Sequence, residues 1–227
     1  MRLSVEQDEA ALFMEWQQHL ARGNLPFYPD GLARGSLYWE TRPRVLFLLK
    51  EVNADKSVPA WNLFDVVGDG SIGATWTVIS YWLHGIHGGG IPWEQLPSAT
   101  PESRRNAISK LAVVNLNKCG GAVASSHTEL WAAAYRDRQF LLRQLRLYAP
   151  DIIIACGTGD IAKHILFEEH WRNWDKMTNG MYWLRPAAVD TVLVSANHPQ
   201  ARLEHKKLYE EVVLGLKEIG VLNPAAP

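Results

Sequence analysis

Five apolar residues in a row, Val45-Leu-Phe-Leu-Leu49, are followed without transition by Lys50, Glu51 and Asn53. An uninterrupted apolar run this short reads as a strand buried on both faces, and such strands belong to parallel sheets covered by helices. Ligands of open α/β sheets bind beyond the carboxyl ends of the strands. The junction at Lys50 is therefore the first place to look for chemistry.

Three later segments repeat the pattern. Leu111-Ala-Val-Val-Asn-Leu-Asn117, Asp151-Ile-Ile-Ile-Ala-Cys156 and Thr191-Val-Leu-Val-Ser195 read as the second, third and fourth strands. Helical periodicity separates them. Residues 5–22 predict an amphipathic helix with Ala10, Phe13, Met14, Leu20 and Ala21 on its inner face, stopped by Gly23. Residues 24–43, with Pro26, Pro29, Gly31, Gly35 and Pro43, read as a loop. A helix over 71–84 places Trp76, Ile79 and Leu83 together, and a short one covers Pro101–Lys110. Ser126 and Glu129 form a capping-box pattern, opening one long helix to Tyr148 that buries Ala134, Leu141, Leu145 and Tyr148 before Pro150. Gly157-Thr-Gly159 turns into a helix from Asp160 to about Glu169, without the full dinucleotide fingerprint. Residues 171–189 read as irregular, with a short strand near Met181–Leu184. The last helix, about 202–219, buries Tyr209, Val212, Val213, Leu216 and Ile219, and the Pro-Ala-Ala-Pro tail frays.

Alternating strands and helices predict a single three-layer α/β/α domain over 1–227 with a mainly parallel four-stranded sheet. Its core spans 44–219, preceded by the helix and lead-in loop of 1–43. The hydrophobic fraction of 47% and charged fraction of 21% place the 227-residue chain among globular proteins, long enough for one well-buried core. The net charge of −1 excludes a global basic field and leaves room for a local patch. His84 and His87 are three apart but sit among glycines with no third ligand nearby, so they read as part of a loop rather than a metal site. Two cysteines, Cys119 and Cys156, make neither a metal quartet nor a disulfide framework. With no apolar leader and no membrane-spanning run, a cytoplasmic protein without a membrane partner is expected.

Three strands end in polar groups suited to one site: Glu51/Asn53, Asn115/Asn117 and Asn197/His198. In order and spacing, these resemble the uracil-DNA glycosylase superfamily, nearest its bacterial and archaeal iron–sulfur branch. Lys50-Glu-Val-Asn-Ala54 stands where that branch has Gly-Glu-Ala-Pro-Gly, and Phe64 occupies the place of its base-stacking aromatic residue, thirteen positions after the glutamate. Val114-Asn-Leu-Asn-Lys-Cys119 is similar to Thr-Asn-Val-Val-Lys-Cys, Leu147-Tyr-Ala-Pro-Asp-Ile-Ile-Ile-Ala-Cys-Gly157 to the approach of the third strand, and His198-Pro-Gln200 to the His-Pro-Ser loop. The resemblance covers roughly residues 44–219. It implies a monomeric DNA glycosylase that flips a base out of DNA and hydrolyses its bond to deoxyribose.

Breaking an N-glycosidic bond builds positive charge on the sugar and negative charge on the departing base. The resemblance casts His198 as donor to that base and Glu51 or Asn53 as the holder of water. Asn115 would read the base edge, since an amide both donates and accepts, with Val52 and Phe64 also against the base. Lys118, Gln200, Arg202, Lys206 and Lys207 would meet DNA, Gln200 and Arg202 standing in for the loop's serine and intercalating leucine. The chain departs from the branch at its iron–sulfur ligands: Tyr135 stands where the partner of Cys119 is expected and the amino-terminal pair is missing, so no cofactor is expected. The base remains open among uracil, another damaged base and a bulky modified cytosine of the kind phages carry, in repair or in defence. A non-catalytic binder of this fold and a nucleoside hydrolase or transferase are the competing expectations.

Overall fold

The computed structural model describes residues 2–54, 59–70, 73–121 and 126–222, with side chains from residue 5 onward. The four apolar runs form the expected strands, β2 (Val45–Asn53), β3 (Ala112–Gly121), β4 (Ile152–Cys156) and β7 (Val192–Ala196). They lie side by side and parallel in the order β3-β2-β4-β7. Because successive side chains alternate faces, Val45, Phe47 and Leu49 enter one apolar cluster while Leu46 and Leu48 enter another on the opposite face.

The sheet has seven strands rather than four. β1 (Gly31–Leu32) adds antiparallel to β3, and the hairpin of β5 (Asp175–Lys176) and β6 (Tyr182–Leu184) extends the other edge antiparallel to β7. Two- and three-residue strands are too short to leave a periodic signal, so only the third of them was anticipated.

Helices cover both faces. On one side α4 (Ala74–His87), α5 (Pro101–Ile108) and α9 (His205–Glu218) pack with α3 (Leu63–Val67); Trp82 stacks on Phe47 at 6.1 Å and donates from Nε1 to the Leu208 carbonyl at 2.8 Å. On the other lie α1 (Arg2–Ala21), α2 (Gly35–Glu40), α6 (His127–Arg136) and α7 (Arg138–Tyr148). At the amino ends of β2 and β4, Asp151 accepts from the Arg44 backbone N–H at 2.6 Å and from its guanidinium at 2.9 Å.

Several local expectations change. α1 buries Leu12, Trp16 and Leu20, whereas Ala10, Met14 and Ala21 are exposed; its apolar content is spread around the helix, so the face was fixed by what it packs against. The 24–43 segment contains β1 and α2 instead of an unbroken loop. The His84–His87 stretch is the last turn of α4, not a loop, with His84 Nε2 2.9 Å from Ser103 Oγ and His87 Nε2 3.2 Å from the Pro43 carbonyl. The long helix to Tyr148 divides at Asp137, whose buried carboxylate is 2.6 Å from Arg136 Nη2 and whose backbone ends α6 and begins α7. After β4, α8 (Gly159–Ile161) and a π-helical turn over 162–166 replace the longer helix, and α9 starts at His205 rather than 202. Ser126 caps α6 by accepting from the Glu129 N–H at 3.4 Å. Residues 71–72, which open the expected 71–84 helix, and the 224–227 tail lie outside the described residues.

Candidate functional site

The carboxyl end of β2, the loop after β7 and the stretch of β3 at Asn115 meet around a cavity of about 290 Å³. Lys50, Glu51, Val52 and Asn53 line it from β2, Asn115 from β3, and His198 and Gln200 from the loop after β7. Three segments separated by more than sixty residues each are joined because parallel strands place all their carboxyl ends on one edge.

His198 sits in a tight turn, Ala196 ending β7 and Pro199 buried behind it. Its Nδ1 lies 3.2 Å from the Gln200 backbone nitrogen, a group that only donates. Nδ1 is thereby the acceptor, and the neutral ring carries its proton on Nε2. Burial, helped by the nearby Lys50 ammonium, pushes the imidazole below its ordinary pKa and favours that neutral form.

Asn115 is buried and held by Asp30: its backbone N–H donates at 2.7 Å and its Nδ2 at 3.1 Å to one carboxylate oxygen. The amide is thus fixed in orientation, leaving Oδ1 and the second N–H for a ligand. Glu51 faces Asn117 across the parallel pair and accepts from its Nδ2 at 2.8 Å. A Cβ built on Gly121 would fall inside the Glu51 carboxyl group, so glycine gives the carboxylate its place. Glu51 forms the wall between this cavity and a groove beside Asn117 and Gly121, while Asn53 is exposed into the cavity alone.

The expected aromatic floor is displaced. Phe64 is half-buried against the apolar cluster and does not line the cavity; Trp61 and Trp76 do. Trp61 precedes α3, while the periodicity of α4 assigns Trp76 to a packing face, where most of its surface does lie.

Lys118 is the clearest correction. Its side chain has no exposed surface, its Nζ is 2.6 Å and 2.7 Å from the two carboxylate oxygens of Asp30, and it stands 4.9 Å over the Trp16 ring. A phosphate cannot reach it. Lys118 continues the alternation of Ala112, Val114 and Leu116 onto the face covered by α1, where Asp30 and Trp16 enclose it; beyond Asn117 the register of β3 slips by two residues against β2. Lys206 is exposed but engaged by Glu94 at 2.7 Å and Glu210 at 3.8 Å; Arg202 and Lys207 are exposed. Asp30, which unites Lys118 and Asn115, left no trace in any sequence pattern.

The residues do not fit an iron–sulfur cluster. Cys119 and Cys156 are buried in clusters on opposite faces of the sheet, and Tyr135 is exposed. Burial pushes the Cys156 thiol well above its ordinary pKa. Among the described residues no helix is long and apolar enough to cross a membrane. Neither protein-family models nor curated proteins match this chain.

Proposed function

We propose that this protein is a DNA glycosylase of the uracil-DNA glycosylase type, built on a three-layer α/β/α core, which hydrolyses the bond between deoxyribose and a flipped base. The observation that carries the reading is the 290 Å³ cavity in which Glu51, Asn53, Asn115 and His198 converge at the carboxyl edge of the sheet. A neutral His198 with its proton on Nε2 donates to the base carbonyl oxygen as negative charge develops there. Asn115 reads the base edge with an amide already oriented by Asp30. Trp61 and Trp76 supply the apolar walls on which a base stacks.

As the C1′–N bond breaks, its electron pair leaves with the base. Water adds its oxygen to C1′ and gives up a proton. Of the two residues cast as holders of water, only the carboxylate of Glu51 is a base that can take that proton; Asn53, exposed into the cavity, orients the water. Gln200 and Arg202 meet the duplex, with Lys207 beyond them.

Incubation with duplex and single-stranded DNA bearing uracil, hypoxanthine or modified cytosines, followed by alkali, tests the reading: strand breaks at the modified position are expected. DNA left intact throughout the panel would defeat it.

One observation favours a second reading, hydrolysis of free nucleosides. With Lys118 buried and Lys206 engaged by carboxylates, the exposed basic surface around the histidine loop is small. Affinity for DNA that falls steeply with salt supports the glycosylase; cleavage of nucleosides without DNA binding supports the alternative.

A further inference from the structure

The cavity described above shares a wall with a larger one of about 620 Å³, and Lys50 and His198 line both. The β4 strand turns away at Gly157, whose φ of +68° suits glycine. A Cβ placed there would lie 3.3 Å from Lys50 Cε, 3.8 Å from Lys50 Nζ and 3.8 Å from His198 Cβ. Lys50 thus runs past a bare stretch of backbone and brings its ammonium beside the histidine. Among the described residues, no carboxylate is paired with it. The carboxylates sharing its cavities are engaged elsewhere: Glu51 by Asn117, Glu211 by Asn197 at 3.0 Å and Asp160 by Trp174 at 3.1 Å.

A half-buried cation left without a counter-ion at a reaction centre is a site for transient negative charge. We propose, resting on the glycosylase reading, that Lys50 is a catalytic residue whose ammonium, beside the neutral His198, pairs with the departing base as it becomes anionic. The two donors divide the work. His198 contributes a directed hydrogen bond to one oxygen, and Lys50 a charge that needs no exact geometry. The proximity acts in both directions: the same ammonium disfavours a proton on His198 and helps to keep it a neutral donor.

The test is Lys50→Met, with Lys50→Arg beside it, in single-turnover excision at saturating protein. Two bases are compared, one departing as a more stable anion than the other, uracil and 5-fluorouracil being the simplest such pair. Lys50→Met should slow excision of the poorer leaving base on the order of tenfold to a hundredfold and that of the better one less, with Lys50→Arg recovering part of the loss. In the same Met variant the His198 pKa, followed by NMR, should rise. DNA affinity and its salt dependence should be unchanged. Equal slowing of both bases, or wild-type rates in an active protein, overturns the role. So does unchanged saturating rate with a salt slope flatter by about one, which would make Lys50 a phosphate contact. If wild-type protein excises no base, the glycosylase reading itself has failed and this role falls with it.

Discussion

Lys118 Nζ lies 2.6 Å from Asp30 Oδ2, and neither side chain has exposed surface. The pair is the hub of a polar network within an apolar layer. Asp30 also accepts from Gln144 Nε2 at 2.9 Å, Gln144 reaches the Tyr148 hydroxyl at 3.0 Å, and that hydroxyl bonds to Glu9. Burial raises the pKa of Glu9 against these bonds and lowers that of Lys118 against the attraction of Asp30. Through Asn115 the network reaches the candidate site.

Breaking that pair should be costly, because a buried carboxylate would lose its counter-ion. Lys118→Met is expected to lose roughly 3 kcal/mol in urea unfolding. Where the variant remains folded, the salt dependence of DNA binding should match wild type, since the lysine meets no phosphate. A flatter slope would return Lys118 to the interface.

Gly121→Ala separates the carboxylate from the fold. Its Cβ must displace Glu51, the mobile end of a side chain, so the stability cost should be small, within about 1 kcal/mol. Excision should slow about tenfold or more as Glu51 leaves its place beside Asn117. Full activity in this variant would show that Glu51 takes no proton. Glu51→Gln and Asn53→Ala then report on proton removal and water orientation separately.

His198→Ala and Asn115→Ala should fail differently. Loss of the histidine removes a donor that matters mainly as the bond breaks, so the single-turnover rate should fall about a hundredfold with DNA affinity nearly intact. Loss of Asn115 should also blur the choice between bases. Melting-temperature changes without either kinetic effect would make both residues structural.

Acid sensitivity should come in part from His87. Burial lowers its pKa to about 4 from the ordinary 6.5. Between those values the unfolded chain holds a proton that the folded protein does not, so stability falls with falling pH. The His87 contribution is intact above about 6.5, declines below it and levels off under about 4, a total of roughly 3 kcal/mol. His87→Gln keeps a donor for the Pro43 carbonyl and should flatten this part of the profile in urea midpoints taken across the range. A wild-type-like slope would assign the acid lability to other groups.

By itself the sequence determined the four parallel strands and the edge at which polar side chains gather. Runs such as Val45–Leu49 and Ile152–Ala155 are apolar at every position because both faces are covered, and that signal is local to the strand. Polar residues at the strand ends then fall together as a consequence of parallel order. This is why Glu51, Asn53, Asn115 and His198 share one cavity despite their separation in the chain. Tertiary structure alone decided which cations face solvent, which aromatic rings line the cavity, and what holds Asn115. Lys118 and Lys206 look alike in sequence, yet the first points to a face of β3 that α1 covers and is buried against Asp30, while the second stays on the surface of α9. Phe64 and Trp61 are three residues apart and both pack against the same core cluster, yet only Trp61 also reaches the cavity wall. Such outcomes depend on contacts between residues scores of positions apart, and neither periodicity nor motif spacing records those contacts.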